Sequence, residues 1–299
     1  MDFRKMRGTL LLATAAFIWG STFVAQRMAN FLGASTFLAA RSYIGAIFII
    51  IVSIIITKKR KKMGINTNEN KLYIKYGIIT GSVMYIAAVF QQISLSFTSA
   101  GKAGFLTALY IVIVPVLGLF LKKKMHKIVW LSIAISLLGT YLLSVNESFT
   151  IEIGDSYLLA SAFFFAVHIV LIDRFTVKTD SIRLSAVQFV VCAIISTVVA
   201  IFTEQPQIDQ VLLAWGPILY AGVFSSGIAF TLQVVAQRET PPAIAALVMS
   251  LESIFAVLTG WVVLGEVLDA KELFGCALMF IAIILAQLPD MLPKKNEIK

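Results

Sequence analysis

The sequence predicts an all-α integral membrane protein with ten transmembrane helices, arranged as two five-helix repeats of inverted topology, with both termini in the cytoplasm. Composition is the first observation behind this prediction: 59% of the 299 residues are hydrophobic, only 14% are charged, and the mean hydropathy is +0.90. A soluble domain of this length cannot bury so much apolar surface. The other two observations are long uninterrupted apolar segments and an uneven distribution of basic residues between alternate loops.

The apolar segments are long enough to form helices that cross a bilayer. Backbone groups in hydrocarbon must satisfy one another, and about 20 helical residues cross ~30 Å of it. Long continuous segments also differ from the short alternating segments of an outer-membrane barrel. The ten predicted segments are 8–29, 33–57, 76–97, 101–121, 128–145, 156–172, 184–203, 213–236, 243–264 and 273–289.

The first segment follows basic residues, as the apolar core of a signal peptide does. It is longer than such a core and lacks a convincing small-residue cleavage site, so we interpret it as a helix of the protein. Cys192 and Cys276 both fall within predicted spans. That placement is not typical of a disulfide framework.

The basic residues indicate the orientation of the helices. With a cytoplasmic N-terminus, 21 of the 25 Lys and Arg residues fall in the inner segments, whereas only Arg27, Lys102 and Lys271 fall outside and Arg41 lies within a span. Such an excess on the inner side supports ten helices with both termini inside. The net charge of +9 therefore indicates topology and attraction to anionic membrane lipid, and we do not expect nucleic-acid binding.

The chain contains an internal repeat. The segment "LLATAAF" from Leu11 aligns with "LLASAFF" from Leu158 at an offset of 147 residues, and the same offset aligns Arg41 with Gln188. Apolar helices resemble one another, so a single match of this kind is weak evidence. A second set of matches at a similar offset strengthens the prediction.

Further along, an offset of 142 residues aligns Gln91 with Gln233 and Tyr110 with Glu252. A linker shorter than the one at 58–75 explains the change in offset. The repeats are then 1–146 and 147–299, with five helices each in one membrane domain. An odd number of helices inverts the second repeat, as in many secondary transporters, whose sites lie near the midplane between the halves.

Two charged side chains lie deep in predicted spans, where a charge costs ~2.5–3.5 kcal/mol on insertion. Glu252 is about 14 Å into the ninth span and Arg41 is about 12 Å into the second, at 1.5 Å per residue. For Glu252 we favour a site role, as a proton carrier or as the partner of a substrate ammonium, over an internal packing role. For Arg41 we favour snorkelling or bonding to backbone carbonyls, because its repeat partner is only Gln188.

Four polar or aromatic side chains at similar depth are candidates for a central cavity: Trp19, Gln91, Tyr110 and Gln233. Amides and aromatic rings suit a small zwitterion or a planar solute, since they offer donors, acceptors and stacking faces. Helix packing and interfacial anchoring are the alternative for all four. That alternative weighs most for Gln233, which lies close to the inner end of its span.

His168 is a second candidate for proton coupling, because it is the only histidine in a predicted span. It lies toward the cytoplasmic end of the sixth helix. A proton relay is one interpretation. A buried histidine held by hydrogen bonds is the interpretation that we favour.

Three motifs resemble those of the drug/metabolite transporter superfamily, EamA type: "WGSTF" from Trp19, "TSAGKAGFLT" from Thr98, and "LGE" from Leu264. The likeness covers both halves of the chain. It implies a ten-helix carrier in a bacterial inner membrane, often an exporter of amino acids or related metabolites. It also implies a central cavity lined by helices from both halves.

Other functional classes lack the residues they need. The Gly101-Lys102 pair precedes Ala103, where a phosphate-binding loop requires Ser or Thr, and two histidines with one in a basic loop assemble neither a metal site nor a catalytic triad. We therefore expect a secondary transporter of a small-molecule solute, without cofactor or metal, with a proton as the coupling ion. A nucleotide-sugar or lipid carrier of the same superfamily is the alternative, and a channel or an intramembrane enzyme is the alternative from another class.

Overall fold

The computed structural model describes residues 3–64, 71–98, 100–123, 125–144, 153–264 and 269–291. These residues form α-helices, one π-helical segment and the turns between them, and they contain no strand. The first half contains α1 (Phe3–Met28), α2 (Ala34–Lys62), α3 (Leu72–Ser94), α4 (Ala100–Ala108), α5 (Tyr110–Phe120) and α6 (Lys127–Ser144).

The second half begins with two long helices and continues with shorter ones. They are α7 (Ile153–Thr176), α8 (Ser181–Thr203), α9 (Ile208–Leu213), α10 (Trp215–Tyr220), the π-helical segment (Ala221–Ala229), α11 (Phe230–Ala236), α12 (Pro242–Met249), α13 (Glu252–Leu264) and α14 (Ala270–Met291). The predicted boundary between the halves at 146–147, and the last two residues of the "LGE" motif, lie outside the described residues.

Each of the ten predicted segments coincides with one helix or with a run of consecutive helices, and the ends agree to within about five residues. Within the described part of the chain, eight stretches have the length and hydropathy needed to cross a membrane. They lie in α1, α2, α3, α4–α5, α7, α8, α10–α11 and α12–α13. The shorter α6 is also apolar. That ten helices cross the membrane stays a prediction.

The most extensive helix contacts join one half of the chain to the other. α6 packs along α14 and α2 along α8, while α3 contacts both α7 and α8. α1 contacts α13, the π-helical segment and α11. The largest apolar cluster accordingly draws on both halves, with Leu12 and Ile111 buried beside Leu247 and Met279. The halves therefore share one interior.

Glycines allow helices of opposite halves to approach at two places. A Cβ on Gly20 of α1 would lie 2.6 Å from the carbonyl oxygen of Glu252 and 2.7 Å from the backbone nitrogen of Ala256, both in α13. A Cβ on Gly45 of α2 would lie 2.5 Å from the Cβ of Ser226 in the π-helical segment. Backbones at such distances leave no room for a side chain, as in other membrane bundles with small interface residues.

The first turn of α2 is capped by a side chain from the other half. The backbone N–H groups of Ser35 and Thr36 each donate a hydrogen bond of 2.8 Å to the Glu204 carboxylate, and the Thr36 hydroxyl donates a third of 2.8 Å. The residue before α2 is Gly33, which has no side chain to serve as a cap. A carboxylate at a helix N-terminus satisfies N–H groups that have no partner within the helix.

The opposite end of the α2–α8 pair is also joined. Arg60 near the end of α2 forms an ion pair of 2.8 Å with Asp180, the residue before α8. The other oxygen of Asp180 accepts hydrogen bonds from the N–H groups of Ile182 and Arg183 at 3.0 and 2.9 Å. α2 and α8 are therefore connected by polar contacts at both ends.

Two spans are interrupted at equivalent positions. α4 ends two residues before Tyr110, and α12 ends three residues before Glu252, which aligns with Tyr110 at the offset of 142 residues. At these interruptions the N–H groups of Leu109 and Leu251 donate hydrogen bonds to carbonyl oxygens three residues earlier, at 3.3 and 3.2 Å. α5 and α13 thus begin at Tyr110 and Glu252. Interrupted helices at this depth are a feature of secondary transporters.

We expect Gly20→Ala to destabilise the protein by about 1–3 kcal/mol, because the added methyl group overlaps the backbone of α13 and forces the helices apart. The measurement is thermal unfolding of the purified protein in detergent, where the variant should have the lower Tm. Gly216→Ala in α10 is the matched control, since a Cβ there meets no atom within 4 Å. Equal Tm values for the two variants would contradict the close contact between α1 and α13.

Candidate solute-binding site

A cavity lies between the two halves of the chain. The space between its lining atoms, including its open mouth, is ≈ 530 Å³. Its walls come from α1 to α5 in the first half, and from α7, the π-helical segment and α11 to α13 in the second. We call it the central cavity.

One face of α1 forms a wall of the central cavity. Its lining residues are Trp19, Thr22, Phe23 and Gln26, whose spacing of three, four and seven residues places them on one side of a helix. Trp19 was predicted from the sequence and the other three were not. Their spacing from Trp19 was a signal that could have identified Gln26, a polar residue in an apolar helix.

Tyr110 and Glu252 meet in the wall of the central cavity. The Tyr110 hydroxyl donates a hydrogen bond of 3.0 Å to Oε1 of Glu252, and both side chains are buried, with 4% and 5% of their surface exposed. The bond joins the first residues of α5 and α13, the two helices that follow the equivalent interruptions. No hydrogen bond from another described residue reaches Oε2 of Glu252.

Arg41 of α2 also lines the central cavity. It is buried, with 5% of its surface exposed, and its guanidinium lies 5.8 Å from the ring centre of Phe37, one turn earlier. Its Nε has no hydrogen-bond partner, and within the described ranges no salt bridge or hydrogen bond joins Arg41 to another residue. The structure therefore does not show the backbone bonding that we favoured for Arg41 from the sequence.

The two predicted glutamines line the central cavity as well. The amide of Gln91 donates a hydrogen bond of 3.3 Å to the hydroxyl of Thr107. In Gln233 the amide oxygen is buried and has no partner among the described residues. Thr107 and Ser225 are further lining residues that the sequence did not single out. Threonine and serine are common in membrane helices, so their presence alone carries little information about a site.

Aromatic rings form much of the remaining wall. Trp19 and Phe230 contact each other edge to face, with ring centres 4.8 Å apart, and Phe165 lies in the same wall. The indole Nε1 of Trp19 is buried without a partner in the described part of the chain. Phe165 and Phe230 were not predicted, because a phenylalanine in an apolar helix has no sequence signal that separates a cavity from a lipid face.

His168 does not line the central cavity. It is fully buried, with its Nε2 3.2 Å from the Gln188 amide oxygen in a hydrogen bond, and its ring packs edge to face on Phe230 at 6.2 Å. Phe230 thus lies between His168 and the cavity. The geometry places this proton-coupling candidate behind the wall, with Nδ1 of its ring unpartnered among the described residues, and its role stays a prediction.

A second cavity lies next to the central one, with ≈ 820 Å³ of space between its lining atoms, open solvent included. We call it the inner vestibule, after the orientation that the charge distribution predicts. Three helices line both, and Val114, Asp173 and Gln237 of the inner vestibule each lie one helical turn beyond a residue of the central cavity. The Gln237 amide donates a hydrogen bond of 3.0 Å to the carbonyl oxygen of Ile169. Since Ile169 lines the central cavity, this bond lies where the two cavities adjoin.

Two ion pairs lie at the inner vestibule. Lys123 pairs with Asp173 of α7, and Arg7 of α1 pairs with Glu239 at 3.1 Å. Both pairs are partly exposed, so each contributes little to the stability of the fold. They connect segments that would have to separate for the vestibule to widen.

A bundle of apolar helices that encloses a cavity lined by aromatic side chains and a few polar ones between its two halves is typical of a membrane transporter. The EamA-like transporter family matches residues 6–145 and 152–288, so the chain belongs to this family. The resemblance inferred from the sequence motifs is confirmed. The protein is a multi-pass membrane transporter.

Two comparisons agree with this assignment. An uncharacterized transporter of Archaeoglobus fulgidus is 28% identical to this chain over 288 residues, which cover 95% of this chain and 87% of the relative. One protein crystal structure superposes with a TM-score of 0.77 over 94% of this chain and 96% of the other. At 19% identity, that likeness concerns the fold alone.

We expect Tyr110→Phe and Glu252→Gln to be coupled in a double-mutant cycle by about 1 kcal/mol, because each removes one end of the same buried hydrogen bond. The measurement is the Tm of the two single variants and the double variant in detergent. Tyr110→Phe combined with Glu272→Gln, which lies in the first turn of α14, is the control and should be additive. Additivity in the Tyr110 and Glu252 cycle would show that the bond contributes nothing to stability.

Proposed function

We propose that the protein is a secondary-active exporter of amino acids or related small metabolites that works by alternating access. The observation that carries this proposal is the central cavity, whose wall joins the equivalent points of the two halves through the bond between Tyr110 and Glu252. In such a transporter the halves move around a site near the midplane and expose it to each side in turn.

The proposal includes ten membrane helices in two inverted repeats, 1–146 and 147–299, with both termini cytoplasmic. Two separate matches to one family support the repeat, because they divide the chain near the same place. Helix contacts support it too. α2 and α8 are equivalent helices that pack on each other, as are α6 and α14, and the contact of α3 with α7 corresponds to that of α1 with the π-helical segment and α11.

The inner vestibule is the proposed route between the central cavity and the cytoplasm. Its basic residues Lys123 and Arg238 belong to segments that the charge distribution assigns to the inner side. Release of the Gln237 amide from the carbonyl of Ile169 would connect the two cavities. The interruptions before Tyr110 and Glu252 provide points at which α4–α5 and α12–α13 can bend.

Glu252 is the proposed coupling residue. One oxygen of its carboxyl group accepts the Tyr110 hydrogen bond, and the other is available to a proton or to a substrate ammonium. A single carboxylate cannot hold both at full strength, since protonation removes the charge that attracts the ammonium. Competition of this kind links proton entry to solute exit through one buried group.

We expect overexpression of the transporter to lower the cellular pool of particular amino acids or related metabolites and to raise their concentration in the medium, because an exporter moves them outward. The measurement is untargeted mass spectrometry of cells and medium, with a vector-only strain as the control. This comparison reports the solute class and the direction together. Identical profiles would contradict the export proposal.

We expect Glu252→Gln to remove the dependence of solute flux on the proton gradient, because an amide neither binds nor releases a proton near neutral pH. The measurement is uptake into proteoliposomes with and without an imposed pH gradient, using the solute found by metabolite profiling. Glu272→Gln is the matched control, since Glu272 lies outside the central cavity, and it should respond to the gradient as the native protein does. If solute flux in Glu252→Gln still depended on the proton gradient, the coupling role of Glu252 would be refuted.

A further inference from the structure

We propose that Arg41 and Trp19 form a binding subsite for the carboxylate of the transported solute. The inference rests on the proposed transport function and adds to it, because it assigns one end of the central cavity to one chemical group. Carboxylate-bearing solutes would bind there, and the corresponding amides and amines would not. Arg41 would then determine specificity.

The charge of Arg41 has no counterpart in the surrounding protein. Within the described ranges no carboxylate lies within salt-bridge distance of its guanidinium and no hydrogen bond joins it to another residue, and its Nε is buried without a partner. A buried guanidinium has five N–H donors and is costly to leave unpaired. Because Arg41 lines the central cavity, a ligand in that cavity is the remaining source of a counter-charge.

Packing does not require a charge at this position. Gln188, which the 147-residue offset aligns with Arg41, is a neutral amide that is fully buried on α8. It forms a hydrogen bond with His168 and is not part of the cavity wall. The aligned position in the other half is therefore occupied by a neutral side chain. We infer that the positive charge of Arg41 is needed for the cavity and not for helix packing.

Trp19 supplies a second donor in the wall of the same cavity. Its ring packs against three apolar clusters, one of which contains Leu38 of α2 and Phe230, and Leu38 precedes Arg41 by three residues. The indole N–H of Trp19 has no partner among the described residues. A guanidinium and an indole N–H are both donors only, so together they suit an acceptor with several oxygen atoms.

A close backbone contact between α2 and the π-helical segment fixes the position of Arg41. A Cβ on Gly222 of the π-helical segment would lie 3.1 Å from the carbonyl oxygen of Arg41, and one on Gly45 would lie 2.5 Å from the Cβ of Ser226. α2 therefore rests directly on the π-helical segment at this level. That contact fixes the rotation of α2 and directs the Arg41 side chain into the cavity.

Glu252 lines the same cavity as Arg41. Its backbone touches α1 at Gly20, the neighbour of Trp19, and no salt bridge joins Glu252 to Arg41. A solute with a carboxylate at one end and an ammonium at the other can meet both charges at once. A phosphate could also bind an unpaired guanidinium, but the carboxylate of Glu252 in the same small cavity disfavours a dianion.

The test measures ligand binding to the purified protein in detergent. Binding is detected as an increase in Tm when the ligand is added. The probes are the twenty proteinogenic L-amino acids, their amides, the amines that decarboxylation would leave, and inorganic phosphate and pyrophosphate. We expect at least one amino acid to bind, with its amide and amine binding about tenfold or more weakly, because they lose a charge-assisted hydrogen bond.

The variants locate the effect at Arg41. Arg41→Gln should weaken binding of the amino acid about tenfold or more and leave the weak binding of its amide unchanged, while Arg41→Lys should retain part of the preference for the acid. Arg27→Gln is the matched control, because Arg27 is exposed at the end of α1, and it should bind like the native protein. If Arg41→Gln does not fold, Arg41→Lys and the ligand series on the native protein still decide the question.

Four results would overturn the subsite: equal binding of acids and amides, binding of phosphates only, binding of no probe, or native affinity in Arg41→Gln. These results are independent of transport, since no flux is measured. Carboxylate binding without any flux would preserve the subsite and refute the transport proposal. Export of solutes that lack a carboxylate would refute the subsite and preserve the transport proposal.

Discussion

A polar group without a partner in hydrocarbon costs several kcal/mol, and this constraint governs the structure from the backbone to the cavity. The long helices pair their own N–H and C=O groups, and even the departures from regular helix keep this pairing. The turns at Leu109 and Leu251 use i→i+3 bonds, and the π-helical segment reaches five residues back, from the N–H of Phe230 to the carbonyl of Ser225. Three of the buried polar side chains with an atom that lacks a partner among the described residues, Trp19, Arg41 and Gln233, line the central cavity, where a solute or water can reach them.

The same constraint explains why the cavity belongs to neither half alone. Most of the extensive helix contacts cross between the halves, and Gly20 brings α1 against the residue that begins α13. Tyr110 and Glu252 come from opposite halves, and the hydrogen bond between them joins two buried side chains. Any movement of one half against the other therefore changes the site itself, which is the requirement for coupling solute binding to a change of access.

Much of this arrangement is predictable from the sequence, and the remainder depends on how the helices are rotated about their axes. Hydropathy located the helices, and the repeat brought Tyr110 and Glu252 together as equivalent positions before any distance was known. The spacing from Trp19 could have added Gln26. The roles of Arg41 and His168 were harder to predict, because depth in the membrane says nothing about direction. Glycine contacts turn the first toward the cavity, and an intervening phenylalanine separates the second from it.

The cap that Glu204 provides for α2 has a consequence for biosynthesis. The two N–H groups at the start of α2 that bind this carboxylate are synthesised about 170 residues earlier than the cap, and Gly33 offers no substitute. During synthesis, the first half of the chain is therefore made before the N-terminal end of α2 can be capped. Complete capping of α2 waits for α8 to insert, so the order of translation makes the second half of the chain a folding partner of the first.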